Sequence, residues 1–126
     1  MNLEAMAKKL QKDGVGRMGV DIFVGHAQEK KGNGILLRDT YAGDPIDYEL
    51  PGFCRTRFHG IVWSKKYRDG EALALKMMKS LTIQETTLED MEIRYLRPRN
   101  RPVSYPLSEG STFEFLVIFD GVYVIV

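Results

Sequence analysis

The C-terminal stretch of residues 113–126 constrains the fold most. It is almost continuously apolar, but Glu114 and the pair Asp120-Gly121 interrupt it, so it falls short of the roughly 18 apolar residues that a membrane-spanning helix needs. We therefore interpret it as a β-strand. Strands expose alternate residues on opposite faces, and here both faces are apolar. The residues concerned are Phe115, Leu116, Val117, Ile118 and Phe119, which are our candidates for packing between subunits.

Two interpretations of Asp120-Gly121 remain open at this stage. Asp-Gly between apolar runs is a strong signal for a two-residue hairpin turn. The same pair also fits a glycine bulge within one continuous strand. Residues 122–126 therefore either fold back as a short strand or continue the strand that precedes them.

Two segments have the apolar periodicity of amphipathic helices. Residues 2–12 place Leu3, Met6, Ala7 and Leu10 on one stripe, and residues 67–81 carry a similar row. Alternating or β-branched runs predict the strands, whereas polar or Pro/Gly-rich runs predict loops. The predicted strands are residues 20–24, 34–41, 53–64 and 91–96, and the predicted loops are residues 26–33, 42–52 and 97–106.

These elements predict a single α+β domain over residues 1–126, in the order α-β-β-β-α-β-β. We expect a mixed, largely antiparallel sheet packed against two amphipathic helices. Two helices on one side of the sheet leave the other side of the C-terminal strand uncovered. Fully burying one large apolar side chain is worth about 1.5–3 kcal/mol, so this second side needs cover from a curled sheet layer or, as we favour, from a neighbouring subunit.

The composition excludes several functional classes. The net charge is +1, which argues against general electrostatic attraction to nucleic acid. The single cysteine, Cys54, cannot form a disulfide within the chain, which suits a reducing cytoplasm. No stretch is apolar enough to predict a membrane anchor. With 44% apolar and 28% charged residues, the chain should fold without a metal or cofactor.

No motif predicts an enzymatic site. Residues 14–19 match the glycine fingerprint G-x-G-x-x-G, but a predicted helix precedes them and a strand follows, the reverse of a dinucleotide site. His26 and His59 lack partners at metal-ligand spacing, and nothing positions either of them beside Cys54. The acids of residues 39–49 are interpreted as solvated loop side chains. We therefore expect no enzyme activity, no metal and no cofactor.

The densest charge cluster lies in residues 94–101. Extended backbone limited by prolines would present guanidinium groups either to carboxylates of a partner protein or to phosphates. A solvated loop with scattered salt bridges is the simpler alternative. The candidate partner-binding residues are Arg94, Arg97, Arg99 and Arg101.

The order of elements and several short segments resemble a known family. The segments are Gly-Val-Asp-Ile-Phe-Val-Gly-His at residues 19–26, the strand and helix of residues 58–81, Arg101-Pro102 with Pro106, and Ser-Thr-Phe-Glu-Phe-Leu-Val-Ile-Phe-Asp at residues 111–120. The chain resembles the small minor capsid and tail-completion proteins of tailed bacteriophages, and within them the tail terminators.

The resemblance implies a virion structural protein without a reaction or a cofactor. It implies a homo-oligomeric ring, typically a hexamer, that caps the tail tube, stops its polymerisation and joins it to the head connector. Its partners would be further copies of itself, the tail tube protein and a head completion protein, with no membrane and no sequence-specific nucleic acid. It would act at the head–tail junction after assembly in the bacterial cytoplasm. Alternatives are another neck protein or a small nucleic-acid-binding module using residues 94–101.

Overall fold

The computed structural model describes residues 1–27, 32–106 and 112–126. In this part of the chain two helices and seven strands form one layer of helix on one mixed, mostly antiparallel sheet, which confirms the predicted fold class. The elements are α1 (Leu3–Lys12), β1 (Ile22–Val24), β2 (Gly34–Asp39), β3 (Phe53–Ser64), α2 (Tyr67–Ser80), β4 (Ile83–Leu88), β5 (Met91–Pro98), β6 (Val103–Pro106) and β7 (Phe113–Ile125).

β7 occupies the centre of the sheet. The strand order is β1-β2-β3-β7-β5-β4, and β6 also pairs with β7, on the same edge as β5. Among the strand pairs of the described ranges, only β1 and β2 run parallel. Along its length β7 pairs with all of β3, from Phe53 opposite Val124 to Ser64 opposite Phe113. The two longest strands, β3 and β7, are therefore paired over the full length of β3.

The core lies between the sheet and the two helices. α1 begins at Asn2, whose side chain accepts a hydrogen bond from the Ala5 amide at 3.1 Å and so caps the helix. Both helices bury their apolar stripes against one face of the sheet. On β3 that face consists of Thr56, Phe58, Gly60 and Val62, as their alternation predicts.

β7 is one continuous strand, so the hairpin interpretation of Asp120-Gly121 is wrong. Residues 122–125 continue along β3 and β5. The irregularity lies in the neighbouring strand, where the register of β5 shifts between Ile93 and Tyr95. A Cβ atom on Gly121 would lie 2.3 Å from the carbonyl oxygen of Tyr95. Glycine is therefore present here because the backbone of β5 approaches closely, and not because the chain turns.

Two strands were missing from the sequence-based prediction. β4 forms a hairpin with β5 through Glu89 and Asp90, and Glu89 takes a positive φ of 52°. This turn lacks the Asn-Gly or Asp-Gly signature of such hairpins. The predicted irregular segment at residues 97–106 is also corrected: β5 extends to Pro98, and β6 follows after a short interruption.

Several predicted boundaries also change. The predicted strand at residues 20–24 is reduced to β1, because the amides of Val20, Asp21 and Ile22 all donate to the carbonyl of Arg17 in a turn. Half of the predicted loop at residues 26–33, namely residues 28–31, lies outside the described residues, as does Ser111 of the resemblance pattern. No helix in the described ranges is long and apolar enough to cross a membrane.

Gly121→Ala tests the close approach of β5 to β7. We expect it to lower the free energy of unfolding by about 3 kcal/mol, because the added methyl group meets backbone that cannot move aside. Gly60→Ala is the matched control in the adjacent strand. Its Cβ would meet the flexible Met77 side chain at 2.7 Å, so the expected loss is only about 1 kcal/mol. Chemical denaturation of both variants measures the difference, and equal losses would contradict this account of Gly121.

Candidate subunit interface on the open face of the sheet

The helices cover only one face of the sheet. Phe115, Val117 and Phe119 of β7 point to that face and are at most 1% exposed. Leu116 and Ile118 point the other way and are half-buried. The predicted subunit-packing set therefore divides into three residues in the core of this subunit and two on the far side. Subunit packing stays a prediction, and it now concerns Leu116 and Ile118.

We call the side of the sheet that faces away from the helices the open face. Its residues are brought together from four strands by the register of pairing: Ile61 lies opposite Leu116, which lies opposite Val103, and His59 lies between Arg38 and Ile118. The open face includes Leu36, Arg38, Arg55, Arg57, His59, Ile61, Trp63, Val103, Tyr105, Glu114, Leu116, Ile118 and Asp120.

The centre of the open face is apolar and accessible. Ile61, Leu116 and Val103 form a row across three adjacent strands, and Val103 is 44% exposed. Toward β1 this surface ends at Trp63, which is 1% exposed and stacks on Phe23 with 6.0 Å between the ring centroids. The Trp63 ring lies over Gly34, where a Cβ atom would come within 2.1 Å of it. Trp63 thus closes one end of the open face.

The border of the open face is basic. Arg38, Arg55 and Arg57 are exposed, and none of them forms an ion pair with any residue in the described ranges. Sequence reasoning missed these three as a group, because they come from two strands that pairing brings side by side. The alternation of Arg55, Arg57 and His59 along β3 was the available signal.

His59 lies among these cations. Its pKa is lowered from the ordinary value of 6.5, first by burial and then by the positive charge of Arg38. Its Nδ1 atom is buried and has no hydrogen-bond partner among the residues that the structure describes. A neutral imidazole is therefore favoured, because protonation would add a charge to a site that is already positive and partly desolvated.

The predicted arginine cluster is not a uniform patch. Arg94 pairs with Glu92 at 3.1 Å. Arg97 approaches Asp120 at 3.6 Å and lies over the Tyr95 ring, 5.0 Å from its centroid. These two guanidinium groups are thus engaged within the subunit. Arg99 and Arg101, in contrast, are exposed in the short segment between β5 and β6.

Asn100 explains how that segment stays attached to β7. Its Nδ2 atom donates to the Leu116 carbonyl at 3.1 Å, and its Oδ1 atom accepts from the Ile118 amide at 2.8 Å. The amide of Arg99 donates to the Ile118 carbonyl at 2.6 Å. The side-chain amide of Asn100 thus takes the place of a peptide group in the ladder. It holds Arg99 and Arg101 beside the open face.

The loop of residues 40–52, which we call the acidic loop, lies at one end of the sheet. Asp44 anchors it by accepting hydrogen bonds from the Thr56 hydroxyl at 2.8 Å and the Tyr123 hydroxyl at 3.0 Å, and by pairing with the Met1 amino group. Burial, first, and the hydrogen bonds with Cys54 and Asp44 raise the pKa of Tyr123. This cluster is therefore an anchor for the loop, with a phenol that stays protonated.

Beyond Asp44 the acidic loop projects apolar side chains into solvent. Ile46 is 74% and Tyr48 86% exposed, and Tyr41 and Leu50 are exposed as well. The carboxylate of Asp47 accepts from the amides of Glu49 and Leu50 at 2.9 Å and 3.1 Å, which fixes the local turn. In the described ranges, no group of three His, Cys, Asp or Glu side chains could hold a metal ion.

Comparisons with known proteins agree with this architecture. A family model described as "Bacteriophage tail terminator protein" matches residues 9–124. Among solved structures, the chain is similar to a chain of "Virion of native gene transfer agent (GTA) particle" with a TM-score of 0.73 and 13% sequence identity, covering 98% of this chain and 94% of that chain. At this identity the structural similarity shows the fold alone. No match was found among curated proteins.

His59 gives a prediction for the dependence of stability on pH. Because its pKa is lowered in the folded protein, the unfolded chain takes up a proton first as the pH falls. The contribution of His59 to stability is therefore complete above about pH 6.5 and decreases as the pH falls through 6.5 toward the lowered folded value. His59→Gln should flatten this part of the curve, measured by denaturation between pH 5 and 8. His26→Gln, at an exposed position, is the control; equal slopes for wild type and H59Q would contradict the prediction.

Asn100 gives a prediction for the attachment of the β5–β6 segment. Asn100→Ala should lower the free energy of unfolding by about 2 kcal/mol, at about 1 kcal/mol for each of its two bonds to β7. It should also speed hydrogen exchange at the Ile118 amide. Asn100→Asp keeps the acceptor for that amide and should lose about half as much. Arg101→Ala is the control, and a loss equal to that of N100A would show that Asn100 has no special role.

Proposed function

This chain belongs to the bacteriophage tail terminator family, and we propose that it caps the tail tube as a ring of identical subunits. The coarser statement, a virion structural protein, follows from the family itself. The match spans residues 9–124, and so includes both helices except for the first turns of α1 and all strands except the last residue of β7. The family confirms the resemblance noted from the sequence; the capping role, the hexameric ring and its partners are our proposal.

One observation carries the ring proposal: the sheet has one face covered by helices and one open face with an accessible apolar centre. A sheet face of this kind is a candidate for contact with another protein. In a homo-oligomer it can be covered by a neighbouring copy, and repeated contacts of one kind close into a ring when the rotation permits. We propose six copies, the number that the resemblance implies.

A closed ring suits the termination of a polymer. A growing tube ends when its exposed end is covered by a protein that binds that end but presents no equivalent new end for the next tube subunit. We propose that one side of the ring binds the tail tube protein and that the other side binds a head completion or connector protein. The protein would then reside at the head–tail junction of the virion, after assembly in the bacterial cytoplasm.

The short segment between β5 and β6, which carries Arg99 and Arg101, is a candidate for one of these docking surfaces. Arg99 and Arg101 are exposed and have no ion pair with any described residue, whereas Arg94 and Arg97 are engaged within the subunit. An acidic surface on the tube or on the connector would complement the free pair. The intramolecular pairing of Arg94 and Arg97 also weakens the alternative of a nucleic-acid-binding module, because it removes half of the cluster on which that alternative rested.

The decisive experiment mixes the protein with unterminated tail tubes and images their ends. Tubes should stop growing and should show additional density at one tip. Tubes that continue to extend, with bare tips, would contradict the proposal. A second neck function would instead give binding to a connector without any effect on tube length.

Replacing Arg97, Arg99 and Arg101 together with Ala tests the docking role in the same assay. We expect weaker capping, with thermal stability lowered only slightly by the loss of the exposed Arg97–Asp120 pair. Arg68→Ala, at an exposed position of α2, is the control and should cap normally. Undiminished capping by the triple variant would remove the segment from the proposal. A DNA affinity that falls steeply with salt concentration would favour the nucleic-acid-binding alternative.

A further inference from the structure

We propose that the subunits associate head to tail, with the acidic loop of one copy docked on the open face of the next. The inference deepens the proposed function, since it rests on the self-association of the ring, but it does not depend on what the ring caps.

The acidic loop has the character of a docking element. It is anchored at one point by Asp44 and is held in a defined local turn by Asp47. A structured loop loses less conformational entropy on binding than a free one. Yet Ile46 and Tyr48 are 74% and 86% exposed, and large exposed apolar side chains close together indicate an interaction site.

The loop borders one end of the open face of its own subunit, at Arg55, but does not reach the apolar centre of that face. Residues 45–49 border the start of β3, beside Phe53 and Arg55. Ile61, in the apolar row, lies eight residues farther along the same strand, which corresponds to roughly 26 Å at about 3.3 Å per residue. The apolar centre of the open face therefore needs a loop from another molecule.

The two surfaces are complementary in charge. The loop carries Asp47 and Glu49, both exposed, and Glu49 has no ion pair with any described residue. The open face carries the unpaired cations Arg38, Arg55 and Arg57. The open face also carries two carboxylates, Glu114 and Asp120, and Arg97 lies 3.6 Å from Asp120. The three unpaired arginines still leave this face with an excess of positive charge, whereas the loop is negative. Complementary potentials of this kind determine partner choice and register.

The same charges argue against a two-fold contact between two open faces. Such a contact would bring the arginines of one copy toward those of the other, and like charges at a desolvated contact are unfavourable. A contact between two different surfaces of the same subunit is heterologous, and repetition of such a contact generates a ring or an open helix. The charge distribution therefore favours a polar, repeating assembly over a symmetric dimer.

Disulfide trapping tests the proposed pairing directly. In a Cys54→Ser background, Tyr48→Cys places a thiol on the loop and Val103→Cys places one on the open face. The two proteins, distinguished by tags of different size, are mixed and oxidised with copper phenanthroline. We expect the mixed dimer as the main covalent product. Leu75→Cys, 51% exposed on α2, replaces Val103→Cys as the control and should not form a mixed dimer.

Each other product contradicts the proposal in a different way. A dominant dimer of two Val103→Cys chains would show a two-fold contact between open faces. A yield no higher than that of the Leu75→Cys control, at all protein concentrations, would show that this loop and this face do not meet. Steeply salt-dependent binding of duplex DNA, with no mixed dimer in the absence of DNA, would assign the basic face to nucleic acid.

Charge reversal tests the polarity of the contact. Glu49→Arg should weaken self-association at least about tenfold, as truncation of a charged interface pair does. The double variant E49R/R38E should recover most of this loss, and R38E alone should resemble E49R. Additive losses in the double variant would contradict a contact between the two sites. Thermal unfolding of each variant shows that the fold is retained.

The result is separable from the proposed function. If the mixed disulfide forms but tubes are not capped, the head-to-tail contact stands and the capping role fails. If E49R caps tubes as well as the wild type and no mixed disulfide forms, the capping role stands and the head-to-tail contact fails.

Discussion

The pairing of β7 with β3 is the constraint on which the rest of the structure depends. All twelve residues of β3 find partners on β7, and the opposite edge of β7 holds both β5 and β6. Because the side-chain period of a strand is two, this one register decides which residues enter the core. Phe58 comes to lie beside Phe119, with ring centroids 5.2 Å apart, and Gly60 leaves room for Met77 of α2.

The sequence predicts the parts of the fold whose signal is local. The bounds of β3 were predicted without error, and α2 differs by one residue, because alternation and helical periodicity are visible within a dozen positions. β4 was missed because four of its six residues are exposed at the sheet edge, so that it lacks an apolar pattern. β6 was missed because it has only four residues and lies in a stretch rich in proline and arginine, which was interpreted as a loop. The register of β5 on β7 shifts between Ile93 and Tyr95, so that the core-facing residues are Met91 and Ile93 before the shift and Leu96 after it. The pairing with β7 shows this shift, and the sequence of β5 alone does not.

The candidate interface was predicted in part for the same reason. The two-sided apolarity of β7 shows in the sequence, and it led directly to Leu116 and Ile118. The apolar pattern alone could not separate Leu116 and Ile118 from Phe115, Val117 and Phe119, because the core face of β7 is the one on which the helices pack. The basic border was not predicted, since Arg38 and Arg57 become neighbours only through the β2–β3 register. A net charge of +1 also concealed the separation of charge between the open face and the acidic loop.

The side chain of Asn100 has a consequence for how such a protein can diverge. β5 and β6 pair with β7 on either side of a short gap, and in that gap the side-chain amide of Asn100, together with the Arg99 amide, continues the ladder. Residues can therefore be exchanged or inserted around Asn100 at little more than the cost of loop closure, which grows slowly with length. The sheet would keep its registers while the projecting tip, with Arg99 and Arg101, changes its shape and charge. The tip could thus adapt to a new binding partner while the bonds of Asn100 to β7 maintain the sheet.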